Sequence, residues 1–211
     1  MRTHVTFVLD SSGSMSAIRA DTIGGFNTFL EDQHGEPGEA TVTLYDFNNS
    51  VERIYEDKSL DSAPQLDEET YKPGGQTALH DAIATAITET ERRIEKLPTG
   101  VRPDNVIVVA LTDGKENASE TPQERVRELV EEHREEQEWE FLFIGANQDA
   151  ALTAAEMGMD ADSSLDMAHS GEGSKRAYQS TSESVSRARR EGDTGGYDDE
   201  ARRRQADADD S

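Results

Sequence analysis

Residues 4–15 read His4-Val-Thr-Phe-Val-Leu-Asp10-Ser-Ser-Gly-Ser-Met15. The first seven form a run dominated by apolar and β-branched residues that stops at an acid. Such a run suits a strand buried on both faces of a parallel sheet, with Asp10 at its carboxyl end. Gly13 marks a short polar turn, and a helical pattern starts near Met15. In an open α/β sheet, ligands bind in the crevice at the carboxyl ends of the strands. Asp10, Ser12 and Ser14 therefore stand where a ligand is expected. They are hard oxygen donors, suited to Mg²⁺, Ca²⁺ or Mn²⁺ rather than zinc. The same residues also suit a helix cap, since Ser and Asp are favoured there.

Two further stretches share this design. Gly74-Gly-Gln-Thr77 leads into an apolar-periodic helix carrying Leu79, Ile83, Ile87 and Ile94. Thr77 either caps that helix or faces the same crevice. Val106-Ile-Val-Val-Ala-Leu-Thr-Asp113-Gly114 is the strongest strand pattern in the chain and also ends on an acid.

Taken together, these loops resemble the von Willebrand factor type A domain. Its metal-ion-dependent adhesion site joins an Asp-x-Ser-x-Ser loop, a Thr from a second loop and an Asp from a third. All five positions occur here in order as Asp10, Ser12, Ser14, Thr77 and Asp113, and the resemblance covers roughly residues 1–165. It implies a doubly wound α/β fold with a mostly parallel sheet, one antiparallel edge strand and helices on both faces. It also implies one Mg²⁺, with Mn²⁺ or Ca²⁺ as alternatives, and a protein partner that supplies a Glu or Asp to the metal.

Composition adds bounds. The 211 residues suit one domain with an appendage. With no cysteine, disulfide and thiolate chemistry are out of reach. Neither a signal-peptide pattern nor a run of 18 apolar residues is present, so a cytoplasmic protein is expected. The formal net charge is −24, from 45 acidic and 21 basic residues, and only five of the basic residues are lysine. An acid-rich, lysine-poor surface resembles that of salt-in halophiles, pointing to a haloarchaeal source, since high salt screens self-repulsion. This charge argues against binding nucleic acid or an anionic membrane through the bulk surface.

Along the chain, residues 15–33 trace a helical face interrupted by Gly24-Gly25, expected to permit close approach to the sheet. Residues 40–47 and 51–55 read as an antiparallel edge hairpin around Asn48-Asn49. Asp46, near the first strand's end, and His80, in the first turn of the following helix, are candidates for the rim of the site. Thr121-Pro-Gln-Glu124 has the form of a capping box. Residues 139–144 form another strand. Asn147 and Asp149 follow it, either at the rim or capping the next helix. Residues 163–167 read as a last short strand. The domain is expected to span residues 1–168, followed by a polar helical extension at 169–190. From Glu191 to Ser211 apolar content nearly vanishes, and a disordered acidic, arginine-rich tail is expected.

Two functional classes compete. One is a non-enzymatic, metal-dependent interaction module. The other is a Mg²⁺-dependent phosphohydrolase, because an Asp at a strand tip also serves phosphoryl chemistry. Haloacid-dehalogenase-like phosphatases carry a second Asp two residues after the first. Here that position is Ser12, and the general acid/base is missing. Neither Ser12 nor Ser14 has a histidine base in its loop, so serine nucleophile chemistry is also disfavoured.

Overall fold

A computed structural model describes residues 1–146 and 149–209. The sheet has six strands: β1 (Arg2–Asp10), β2 (Glu39–Phe47), β3 (Val51–Ser59), β4 (Asn105–Thr112), β5 (Glu140–Ala146) and β6 (Ser164–Met167). Their order is β3-β2-β1-β4-β5-β6. All pairings are parallel except β2 with β3, which form the antiparallel edge hairpin. The chain leaves β1 toward β2, then crosses back to β4 on β1's other side. That reversal makes a topological switch point between β1 and β4, where doubly wound folds place their ligands.

Among the described residues the helices are α1 (Arg19–Asp32), α2 (Leu79–Lys96), α3 (Gln123–Gln137), α4 (Ala150–Glu156), α5 (Gly171–Glu191) and α6 (Asp199–Asp209). A 3₁₀ turn over Gly13–Ile18 joins the first loop to α1. Strand β1 shows why both faces need helices. Val5, Phe7 and Leu9 belong to a core shared with α1 and α5. Val8 belongs to a second core with α2, α3 and α4. Alternation with period two sends successive side chains to opposite layers, so a strand apolar on both faces must be covered on both.

Several local expectations change. Gly25 meets not the sheet but Tyr178 of α5, whose ring occupies the space a β-carbon would fill, while a β-carbon on Gly24 would meet nothing within 4 Å. The Thr121 capping box is not made. Pro122 is the N-cap of α3 without a side-chain bond, and the Thr121 N–H donates instead to Asp81 at 2.8 Å. Asp81 also accepts the Glu120 N–H, so it ties α2 to the segment before α3.

The larger differences lie at the C-terminus. Helix α5 is no mere extension: Ala177, Tyr178, Val185 and Ala188 are part of the core. The tail expected to be disordered is ordered through residue 209. Tyr197, Ala201 and Ala208 are each under 5% exposed, and Tyr197 meets Thr181 at 2.8 Å. Helix α6 covers the free edge of β6. Arg202 donates to the Ser164 carbonyl at 2.9 Å, and Gln205 accepts the Ala168 N–H at 3.0 Å. Apolar content underrates this segment, because alanines and polar contacts to exposed backbone do the holding.

Candidate metal centre

Three loops meet at the carboxyl ends of β1 and β4. Asp10 ends β1 and is fully buried. Its Oδ1 accepts the Ser12 N–H at 2.6 Å and its Oδ2 accepts the Thr112 hydroxyl at 2.5 Å. The first loop thus curls over its own strand tip and is pinned to β4. The Tyr71 hydroxyl donates to the Asp10 carbonyl at 2.5 Å. Burial pushes the Asp10 carboxyl above its ordinary pKa. Hydrogen bonds from Thr112 and Ser12 oppose that rise, and the nearby charge of Asp113 adds to it.

The hydroxyls follow. Ser12 Oγ lies 3.1 Å from Ser14 Oγ, and Ser14 Oγ donates to Asp113 Oδ1 at 2.5 Å. Thr77 is fastened by its main chain to Asn117: its N–H donates to Asn117 Oδ1 at 2.9 Å and its carbonyl accepts the Asn117 N–H at 3.0 Å. Gly114 reports how closely the loops converge. A β-carbon there would lie 2.6 Å from Thr77 Oγ1 and 3.3 Å from Ser14 Oγ. The second loop is laced to the first by Gly13 N–H to the Gly75 carbonyl at 3.0 Å and Gly74 N–H to the Ser11 carbonyl at 2.8 Å. Asp10, Ser12, Ser14, Thr77 and Asp113 are therefore neighbours in one crevice.

Helix capping does not use these hydroxyls. Ser12 precedes the 3₁₀ turn without a side-chain cap bond. The N-cap of α2 is Ala78 rather than Thr77.

The rim candidates divide. Asp46 accepts the Ser11 hydroxyl, bracing the first loop from β2. Its carboxyl is pushed up to about 6, chiefly by burial, with the charges of Glu52 and Asp10 adding. His80 is half-buried and offers its backbone N–H to Glu116 at 2.9 Å. Asn147 lies outside the described residues. Asp149 caps α4 by accepting the Leu152 N–H at 2.9 Å.

Sequence reasoning missed Thr112, Asn117, Glu116, Tyr71 and His169. Thr112 was within reach, being a hydroxyl at a strand tip beside a candidate acid. Glu116, which also accepts the Ala118 and Ser119 N–H groups, and Asn117 brace the third loop without any local pattern. Tyr71 and His169 come from distant segments. His169 Nε2 lies 3.0 Å from Asp113 Oδ2.

The donor set fits a hard divalent cation: three neutral hydroxyls and two carboxylates, with no thiolate. Among the described residues, no group of three or more His, Cys, Asp or Glu side chains is placed to hold a metal. A site here would thus depend on hydroxyl oxygens. Among the same residues, no helix is long and apolar enough to cross a membrane.

Strand order and an oxygen-lined crevice at the switch point define a doubly wound α/β domain. The von Willebrand factor type A domain family matches residues 4–187, and the chain belongs to that family. That match runs through most of α5. No curated protein matches the chain. Solved structures with the same fold include proximal thread matrix protein 1 from the mussel byssus, at 17% identity and a TM-score of 0.60 over 88% of this chain and 46% of that one. A structure of the same mussel protein with its MIDAS motif occupied by zinc aligns at 15% identity and TM-score 0.61, covering 85% of this chain and 46% of that one. The pilus adhesin SpaC from Lactobacillus rhamnosus GG aligns at 12% identity and TM-score 0.64, covering 88% of this chain and 30% of that one. In each case the chain spans less than half the length of the structure it matches.

Proposed function

We propose that this domain is a non-enzymatic, divalent-metal-dependent protein-interaction module that binds an acidic side chain of a partner protein. The observation that carries this reading is the approach of the Thr77 and Ser14 hydroxyls to Gly114, with the Ser12 hydroxyl 3.1 Å from that of Ser14 and neither Ser12 nor Thr77 bonded as a helix cap. Ser12, Ser14 and Thr77 would hold the ion directly, and Asp10 and Asp113 would fix its waters. When bound, Mg²⁺, or Mn²⁺ or Ca²⁺ in its place, offers an open position to a Glu or Asp carboxylate. The zinc-occupied site of the mussel protein supports a divalent ion without selecting one.

The chain's own residues prepare that position. Thr112 and the Ser12 N–H hold Asp10 in one orientation, and Asn117 sets the height of Thr77. Ser12, Ser14 and Thr77 would offer the ion only neutral hydroxyls, so its charge would be incompletely balanced and an incoming carboxylate would be favoured. The acidic surface supports a cytoplasmic, high-salt setting, where long-range repulsion of an acidic partner is screened. Membership in a family of interaction modules supports binding over phosphohydrolysis, and Ser12 occupies the position where a phosphatase of that type would need its acid.

Calorimetric titration of the metal-stripped protein with Mg²⁺ and Mn²⁺ tests the site. Asp113→Ala should abolish binding while the fold survives. Thr77→Ala should weaken metal binding less, yet impair capture of partner in pull-downs that EDTA reverses. Equal metal affinity in wild type and Asp113→Ala would end the metal-site reading, and Mg²⁺-dependent phosphatase turnover would favour the enzyme.

A further inference from the structure

A fourth segment reaches the crevice. His169 lies between β6 and α5, outside the three loops that supply the five oxygens. Its Nε2 is 3.0 Å from Asp113 Oδ2. An ionised carboxylate only accepts, so the ring nitrogen is the donor. The other Asp113 oxygen takes the Ser14 hydroxyl. Both oxygens of this acid are therefore engaged, one from within the site and one from His169. The Asp113 side chain is fully buried, whereas the His169 side chain is 33% exposed at the lip of the crevice.

The segment carrying His169 is pinned on both sides. Before it, the Ala168 N–H donates to Gln205 of α6 at 3.0 Å. After it, the Ser170 hydroxyl oxygen caps α5 by accepting the Gly173 N–H at 3.0 Å. Gly171 lies against the Asp21 carboxyl of α1, which would have to turn aside for a β-carbon there. The imidazole is thus presented by a supported backbone.

We propose that His169 is a positioning residue for Asp113, holding its carboxylate so that Oδ1 stays on Ser14 and faces the metal position. The inference rests on the metal-site reading above. The terminal torsion of an Asp side chain is broad and roughly two-fold, so one hydrogen bond restrains it weakly. A second donor on the opposite oxygen fixes the rotation. Groups that orient metal-site carboxylates in this way are typically worth about 10–100-fold in metal affinity. The arrangement also makes the site depend on the β6–α5 connection, and through Gln205 on α6.

The test uses the full chain, stripped of metal and titrated calorimetrically with Mg²⁺ and with Mn²⁺, as wild type, His169→Ala and His169→Gln. Glutamine carries an N–H donor at a reach similar to Nε2. His169→Ala should bind both ions about 10–100-fold more weakly with an unchanged metal-free melting temperature, and His169→Gln should restore most of the loss. A merely structural role would instead lower the melting temperature and would not be rescued by the amide. Equal affinity in wild type and His169→Ala overturns the proposal while leaving the metal site standing. A Gln variant as weak as Ala, or a loss confined to Mn²⁺, overturns it in favour of direct ligation by the ring. A folded wild type that binds neither ion removes the metal reading, and the role of His169 with it.

Discussion

Gly25 and Tyr178 lock α1 against α5: a β-carbon on Gly25 would lie 2.2 Å from Tyr178 Cδ2. The ring is itself fully buried and stacks on Phe7 with centroids 6.1 Å apart, so moving it disturbs the core. Gly25→Ala should therefore destabilise the domain by about 1–3 kcal/mol, despite alanine's better helix propensity. Gly24→Ala, one residue away with nothing in its path, should be neutral or stabilising. Urea unfolding of the two variants compares them directly, and equal midpoints would show that the helices shift apart at no cost.

Gly114 offers a matching probe of the site. A methyl group there would press first on Thr77 Oγ1 and Ser14 Oγ. Gly114→Ala should leave the metal-free melting temperature nearly unchanged and weaken Mn²⁺ binding. Wild-type affinity in this variant would show that the Thr77 hydroxyl is not needed where it now stands.

The C-terminal segment is expected to be required for stability. Deleting residues 192–211 would strip Tyr197 from the core and leave the Ser164 carbonyl and Ala168 N–H at the β6 edge without their side-chain partners. Water can then pair those groups, so the larger loss is the apolar burial of Tyr197, Ala201 and Ala208 and of the core face they cover, and the melting temperature should fall clearly. Scanning calorimetry of the truncated chain decides this, and an unchanged transition would mean that the tail contributes nothing. Arg202→Ala and Gln205→Ala divide the effect between the two contacts.

His4 supplies an acid-sensitive element. It is buried on β1, with Nδ1 2.8 Å from Thr41 Oγ1. Burial first, and the Arg93 charge second, hold its pKa down from 6.5 to about 3. The folded-state value is depressed, so the unfolded chain takes up the proton first. The contribution to stability is complete above pH 6.5 and is lost as pH falls toward 3. At about 1.4 kcal/mol per unit, the loss by pH 4 is on the order of 3 kcal/mol. His4→Leu should flatten this part of the stability–pH curve. Parallel curves for the two proteins, from urea midpoints at pH 7, 5.5 and 4, would show that another group governs acid sensitivity.

Salt should stabilise the protein. With a net charge of −24 on 211 residues, self-repulsion grows as salt is removed. The screening length rises from ~3 Å at 1 M to ~10 Å at 0.1 M. Melting temperature should climb from low to multimolar KCl, and a flat profile would rule out the halophile reading.

Local pattern alone determined much of this protein. Two apolar strands ending on Asp10 and Asp113 could be buried only in a parallel sheet covered on both faces, and the structure pairs them side by side as β1 and β4. Chain position put Asp10 and Asp113 at strand tips but left Ser12, Ser14 and Thr77 open as helix caps, and the grouping of all five came from the resemblance to the type A domain. Tertiary structure decided what depends on distant neighbours. The absence of capping bonds from Ser12 and Thr77 follows from where three loops happen to meet. Tyr71 and His169 reach the site from segments 61 and 56 residues away from the acids they contact. The order of the tail follows from an exposed sheet edge that Arg202 and Gln205 satisfy. Periodicity records which side of a segment is apolar. It carries no record of which polar group, far along the chain, will find a given carboxylate or carbonyl without a partner.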